Sequence, residues 1–270
     1  MKKIRTKTLL VLLVSFFVFE ACSKIPITGR KQFRMLPEST LMEMSLTSYK
    51  HILDTAAVEY NTNRANMVKS VGQKIAGSVE TYLKGTRYEK RIEGFEWEFN
   101  LIQDTLINAW CMSGGKVAFY TGILPICETE TGVAVVMGHE IAHAIAQHGN
   151  ERVSQGLALQ MGGVALDVAA STRTEETRAL IQMAYGLGAN VGVMLPFSRR
   201  HESEADEMGL MFMAMAGYDP QEAPLFWDRM NAMGGQRPPE FLSTHPDPDK
   251  RKQNLQELMP EALELYNKNK

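Results

Sequence analysis

The chain has 270 residues, 44% hydrophobic and 22% charged, with a net charge of −2. That profile excludes a wholly disordered or fibrous chain and leaves room for one or two domains with a substantial core. The balance of 29 basic and 31 acidic residues gives no electrostatic footprint for nucleic acid, and three cysteines are too few for a disulfide scaffold.

Residues 1–22 read as an export signal. Lys2, Lys3, Arg5 and Lys7 make a basic start, and Leu9 to Phe19 is apolar apart from Ser15. That run is too short to cross a bilayer and suits a signal-peptide core. Ala21-Cys22 resembles a lipoprotein cleavage box, although Phe19 stands where Leu is usual and Glu20 puts a charge beside the cut. Cys22 is therefore the expected lipidation site. The expected location is the cell envelope, lipid-anchored and facing the periplasm, with the outer membrane favoured by Ser23. Cys111 and Cys127 then face an oxidising space, where they either form a disulfide or, as expected here, stay two separate buried thiols.

Residues 23–38, with two prolines and a glycine, read as a tether leading to a helix capped by Ser39. Val68, Val71, Ile75, Val79 and Tyr82 fall at helical spacing, which predicts an amphipathic helix over 64–84. Phe95, Trp97, Phe99 and Leu101 alternate with polar residues, so a half-buried strand is expected there. Val117 to Thr121 is a second short strand, entered through Gly114-Gly115. From Thr131 onward the pattern is helical. Residues 153–197 are two apolar, glycine-rich stretches split by Arg173 to Arg178, and read as a soluble helical hairpin because Gln155, Gln160 and Asp167 interrupt the first. Met208, Met211, Phe212 and Met215 form a core stripe. The tail after Pro246 is a helix with Leu255, Leu258, Leu263 and Leu265 packed inward. The expected fold class is α+β, mostly helical, with residues 39–270 as one domain.

The chemistry sits at His139-Glu140-Ile-Ala-His143. Helix positions four apart share a face, so two imidazoles can meet one metal ion while Glu140 reaches a water beside it. Zinc suits such a set, one ion per chain, because a catalytic site leaves a position open for water. His148 lies nine residues after His139, on the opposite face of a continuous helix, and reads as a solvated residue. A second helix must supply the third ligand. Glu202 and Asp206 are four apart on one face, so one carboxylate can bind metal while the other fixes a ligand imidazole. Glu204 lies off that face and reads as a surface acid. A di-iron bundle needs a second Glu-x-x-His, and a serine hydrolase needs a G-x-S-x-G elbow; the sequence has neither.

These blocks, with Asn108-Ala109, Gly114-Gly115-Lys116, Thr121-Gly122 and Ser243-Thr-His245-Pro246, resemble family forty-eight of the metallopeptidases over about residues 60–255. The resemblance implies a zincin-type domain with a small edge sheet. It implies His139, His143 and Glu202 as zinc ligands, Glu140 as the base, and Asp206 as the residue orienting a ligand histidine, with Arg251 beside them. It also implies that an edge strand around Gly115, Lys116 and Val117, running to Phe119, adds an extended peptide. His245 either stabilises the oxyanion, blocks the zinc, or is a turn residue. Trp110-Cys111-Met112 departs from the smaller apolar residues usual in the family. The implied function is a zinc-dependent endopeptidase acting on unfolded or damaged cell-envelope proteins, tethered to a membrane and free of nucleic acid. The rival is a mainly chaperone-like metal-binding lipoprotein with membrane-protein assembly partners.

Overall fold

The computed structural model of the chain describes residues 22–232 and 248–270. The segment expected as a tether is folded. β1 (Cys22–Lys24) and β2 (Lys31–Phe33) pair antiparallel, and Ile25 between them is fully buried in the core. One buried isoleucine contributes roughly 1.5–3 kcal/mol, which docks the hairpin rather than leaving it free. The helix α1 (Glu38–Thr55) starts behind Pro37 with no side-chain cap, so Ser39 lies inside the first turn instead of ahead of it.

After β3 (Val58–Glu59) comes α2 (Asn63–Leu83), whose cap is Thr62, accepting from the amide of Ala65 at 3.1 Å. The spacing read in sequence is the packed face: Val68, Val71, Ile75 and Val79 are fully buried, while Tyr82 near the helix end stays exposed. That face lies on a four-stranded sheet of order β3-β4-β6-β5, with β4 (Glu98–Ile102), β5 (Ala109–Met112) and β6 (Lys116–Tyr120). β4 and β6 are parallel, and β5 and β6 antiparallel. Only the second half of the alternating run, Phe99 and Leu101, is both strand and buried.

β6 has hydrogen-bonded neighbours on both sides, so Gly115, Lys116 and Val117 do not lie on an edge. The edge is β5. Gly114 and Gly115 both take positive φ, 89° and 80°, and turn Trp110 to Met112 back over β6. A side chain at Gly115 would also meet the ring of Trp97 within 2.8 Å, so glycine is required there twice over.

Below the sheet runs α4 (Glu130–Ala146), preceded by the short α3 (Leu124–Cys127). Thr129 caps α4 by accepting from the amide of Gly132 at 3.0 Å. Almost every residue of α4 from Gly132 onward is buried, which is why its sequence is apolar all round rather than striped. α5 (His148–Ala169) and α6 (Glu175–Ala189) form the expected helical hairpin. A wide π turn, Asn190–Met194, joins α6 to α7 (Leu195–Met215) in one continuous helix. Met208, Met211 and Phe212 are core residues, and Met215 at the end of that stripe is half-buried. α8 (Glu222–Ala232) and α9 (Pro248–Asn269) close the far side, where Leu255 and Ala262 are buried. The fold class is α+β, mostly helical. Cys111 and Cys127 are free thiols.

α4 and α7 cross backbone on backbone. A Cβ at Gly138 would lie 2.7 Å from the carbonyl oxygen of Gly209, and one at Gly209 would lie 2.7 Å from the amide nitrogen of His139. Backbone atoms cannot step aside, so Gly209→Ala forces the helices apart. The expected cost is about 1–3 kcal/mol of overpacking. Gly77→Ala, on the open face of α2 with no atom within 4 Å, should instead gain up to about 1 kcal/mol of helix propensity. Urea unfolding midpoints of the two variants should move in opposite directions, and an unchanged midpoint for Gly209→Ala would show that the crossing is looser than this.

Candidate metal centre

The crossing brings three donors from two helices to one point. His139 Nε2 and His143 Nε2 are 3.1 Å apart. The Glu202 carboxylate on α7 lies 3.4 Å from the first and 3.3 Å from the second. Donors around a tetrahedral zinc at ~2.0–2.1 Å stand roughly 3.3–3.4 Å from one another, so this nitrogen, nitrogen, oxygen set has the spacing such an ion needs. Among the described residues these three form the cluster of His, Cys, Asp or Glu able to hold a metal ion. Glu140 is buried next to them and faces the groove described below.

The far side of His139 is held by Asp206 and Arg251. Asp206 Oδ1 is 3.0 Å from His139 Nδ1. Arg251, on α9, donates to both Asp206 oxygens at 2.7 and 2.5 Å and to Glu202 at 3.2 Å. Its guanidinium also stacks on the Trp227 ring, 3.8 Å from the centroid. Burial pushes the Asp206 carboxyl up, but Arg251 and His139 outweigh that and hold it below its ordinary value. The carboxylate is thus an ionised acceptor that fixes which nitrogen of His139 faces the ligand site. Arg251 is buried behind the ligands and does not line the groove.

His143 is held from its other side by a residue read in sequence as solvated. α4 ends at Gln147, which adopts the left-handed conformation (φ 57°, ψ 39°), and α5 begins at His148. The break redirects the chain, so the helical-wheel argument that put His148 on the opposite face does not apply. His148 is 2% exposed, and its Nδ1 lies 2.8 Å from His143 Nδ1. Its Nε2 is 3.0 Å from Glu204 Oε2. Glu204, read as a surface acid, is likewise buried.

Glu204 accepts from Thr28 Oγ1 at 2.5 Å and from Arg30 Nε at 2.9 Å. Arg30 also grips Glu151 at 2.8 and 2.6 Å, and Glu151 pairs with His201 at 3.0 Å. The β1–β2 hairpin therefore reaches the second layer around the metal centre. Its Gln32 also closes the end of α4, donating to the carbonyl of Ala146 at 2.6 Å, and Arg91, from the turn Glu89–Ile92, donates to that of Ile145 at 2.8 Å. Those carbonyls have no partner within the helix. Nothing in local sequence marks Arg30, Gln32 or Arg91 for this role, because each acts from more than fifty residues away.

A groove of about 390 Å³ opens in front of the ligands. Its walls include the edge strand β5 through Trp110, Cys111 and Met112, with Glu140 and His143 at the floor and Arg152 at one end. His245 lies outside the described residues, as does the side chain of Cys22.

A sequence model of Peptidase family M48 matches residues 63–259. The chain is 32% identical to the mitochondrial metalloendopeptidase OMA1 of Schizosaccharomyces pombe, over 91% of this chain and 69% of that protein. It is 26% identical to the human mitochondrial metalloendopeptidase OMA1, over 94% of this chain and 49% of that protein. It is 29% identical to the beta-barrel assembly-enhancing protease of Escherichia coli, over 57% of this chain and 33% of that protein. The relatives that match along nearly the whole chain are mitochondrial, and this overturns the expected periplasm-facing, lipid-anchored location in the cell envelope. That expectation rests on a basic start and an apolar run, and basic, acid-poor starts are shared by segments with different destinations.

Two outcomes follow from the layer behind His143. His148→Asn should weaken zinc binding about 10- to 100-fold in a competition titration, with the fold intact by circular dichroism; unchanged affinity would make His148 a packing residue only. Burial pushes the Glu204 carboxyl up, yet the bonds from His148, Arg30 and Thr28 outweigh it and hold it at about 2, against 4.5 when unfolded. The unfolded chain therefore binds the proton first, so this contribution is complete above pH 4.5 and is lost as pH falls towards 2. Urea midpoints measured across that window should fall less steeply for Glu204→Gln than for the native chain.

Proposed function

The chain belongs to Peptidase family M48 and is a metalloendopeptidase, and from that premise we propose that it uses zinc to hydrolyse peptide bonds in unfolded or damaged proteins. The observation that carries the proposal is the meeting of His139, His143 and Glu202 at tetrahedral spacing beneath a groove walled by an unpaired strand edge. Zinc bound there supplies a positive charge that polarises the scissile carbonyl and acidifies the attacking water.

The remaining roles belong to the chain itself. In this reading Glu140 accepts a proton from the attacking water and returns it to the leaving amine nitrogen. Asp206 and His148 hold the two ligand imidazoles from behind, at His139 Nδ1 and His143 Nδ1. The free edge of β5, Ala109 to Met112, offers main-chain donors and acceptors to an extended peptide, which joins the sheet as a fifth strand. Such pairing reads backbone before side chains. A polypeptide must be extended over several residues to use it, which selects unfolded segments over folded domains. Trp110 and Met112 on the same strand then set which side chains fit best.

The test is cleavage of casein and of a stably folded protein by the purified chain. Casein should be cut, the folded protein spared, and a chelator should stop the reaction. Glu140→Gln should lower the rate by about 10²-fold or more with one zinc per chain retained by elemental analysis. Full activity in that variant would remove Glu140 from the mechanism, and equal cleavage of both substrates would remove the preference for unfolded chains.

A further inference from the structure

The hairpin of α5 and α6 leaves the domain as an arm. α6 contributes no buried residue, and α5 contributes none beyond Gln155. The arm's side chains are arranged opposite to those of a hairpin in water. Polar groups meet in the seam between the helices. Arg178 holds both oxygens of Asp167 at 2.7 and 2.6 Å, Gln182 donates to the carbonyl of Gly163 at 2.9 Å, and Tyr185 donates to that of Leu159 at 2.8 Å. Gly162 leaves room for the Tyr185 ring in the seam, since a Cβ there would meet its hydroxyl at 2.4 Å. On the outside, Met161, Val164 and Val168 of α5, and Leu180, Met183 and Leu187 of α6, are each between 60% and 68% exposed.

In water, apolar residues turn to the seam and polar ones to solvent. In lipid, small and hydrogen-bonding residues turn to the seam and apolar ones outward. The arm follows the second pattern along its helices, with Gln160 and Asn190 as exposed polar exceptions and Leu159, Leu166 and Ile181 half-buried. Its tip bears the exposed charges Arg173, Glu175 and Glu176, which insertion would carry to the far headgroups. Each apolar stripe lies on the side of its helix turned away from the other helix. A single partner helix or one second copy would cover one stripe and leave the other in water.

Charge placement points the same way. No Asp, Glu, Lys or Arg occurs from Val153 to Leu166 or from Ala179 to Ser198. The second stretch lies in the continuous helix Glu175–Met215, and at 1.5 Å per residue it spans about 30 Å, the thickness of a bilayer's hydrocarbon core. That helix carries the window among the described residues that is long and apolar enough to cross a membrane, and none of the window is buried in the protein. At the base of the arm the exposed charges are Arg152, Arg199 and Arg200, all basic, which complements anionic headgroups.

We infer that the α5–α6 arm inserts into an anionic lipid bilayer, with the arginines at its base on the headgroups. Arg152 also ends the groove, so the groove would open beside the membrane surface. The insertion stands on the arm alone and does not depend on the catalytic reading.

Hydrogen exchange of the full chain, read by mass spectrometry with and without mixed phosphatidylcholine–phosphatidylglycerol vesicles, tests this locally. Amides of residues 179–194 should slow by about 10-fold or more when vesicles are added. Arg199→Gln with Arg200→Gln leaves the apolar arm intact and should weaken vesicle binding by about 10- to 30-fold, at roughly 1 kcal/mol per charge. Leu180→Ser with Met183→Ser and Leu187→Ser should abolish the slowing while zinc content stays the same. Equal exchange with and without vesicles overturns the inference, including when the chain floats with the vesicles through another segment. Slowing that tracks protein concentration without vesicles overturns it in favour of a second copy.

Discussion

The metal centre depends on one contact without side chains. At Gly138 and Gly209 the two long helices touch through their backbones, and every distance at the centre follows from how close that contact is. The helices run antiparallel. Going forward from Gly138 along α4 reaches His139 and then His143. Going back from Gly209 along α7 reaches Asp206 and then Glu202. The two acids, one turn apart, bracket the ring of His139, Asp206 at its Nδ1 and Glu202 at its Nε2. A methyl group between the helices would widen this gap by more than hydrogen bonds and metal bonds tolerate, because both act over a few tenths of an ångström.

So close an approach gathers charge where there is little water, and the charges must be matched. Glu202 and Asp206 share Arg251, while Glu151 and Glu204 share Arg30. Each arginine arrives from outside the α4–α7 pair, one from α9 and one from the β1–β2 hairpin. Removing one partner of a buried pair leaves an uncompensated charge and costs about 3–5 kcal/mol. The terminal segments therefore act as charge-bearing parts of the centre rather than as wrapping. The same reasoning explains the fully buried Ile25 beside Arg30: the apolar anchor offsets the entropy of holding the arginine in place.

What could be read in the sequence follows the range of the interactions. The H-E-x-x-H spacing, the Glu202 and Asp206 pair and the face of α2 are set within one or two helical turns, and these side chains lie where the spacing points except Tyr82, which stays exposed near the end of α2. Readings failed where a distant segment or a single backbone angle decided. His148 depends on Gln147 adopting φ 57°, a conformation unusual for glutamine and held here by the side chains that close the end of α4. The free edge of the sheet depends on Gly114-Gly115 folding β5 outside β6, and a list of strands does not give their order. Arg30 and Gln32 lie in a stretch whose prolines and glycine read as a linker, and only their partners more than a hundred residues away show otherwise.

The same division of labour explains how one helix can carry both a ligand and an exposed apolar arm. Between His143 and Glu202 the chain must leave the end of α4 and return to the start of α7. The return is fixed at the base, where His201 pairs with Glu151, His148 pairs with Glu204, and the two histidine rings stack 4.3 Å apart. Beyond those pairs the core makes no demand on α5 and α6, whose backbone groups are satisfied within their own helices. An arm at this position can change in length or polarity without moving a ligand. Its inside-out pattern is therefore not imposed by the fold, and it reports instead on the medium around the arm.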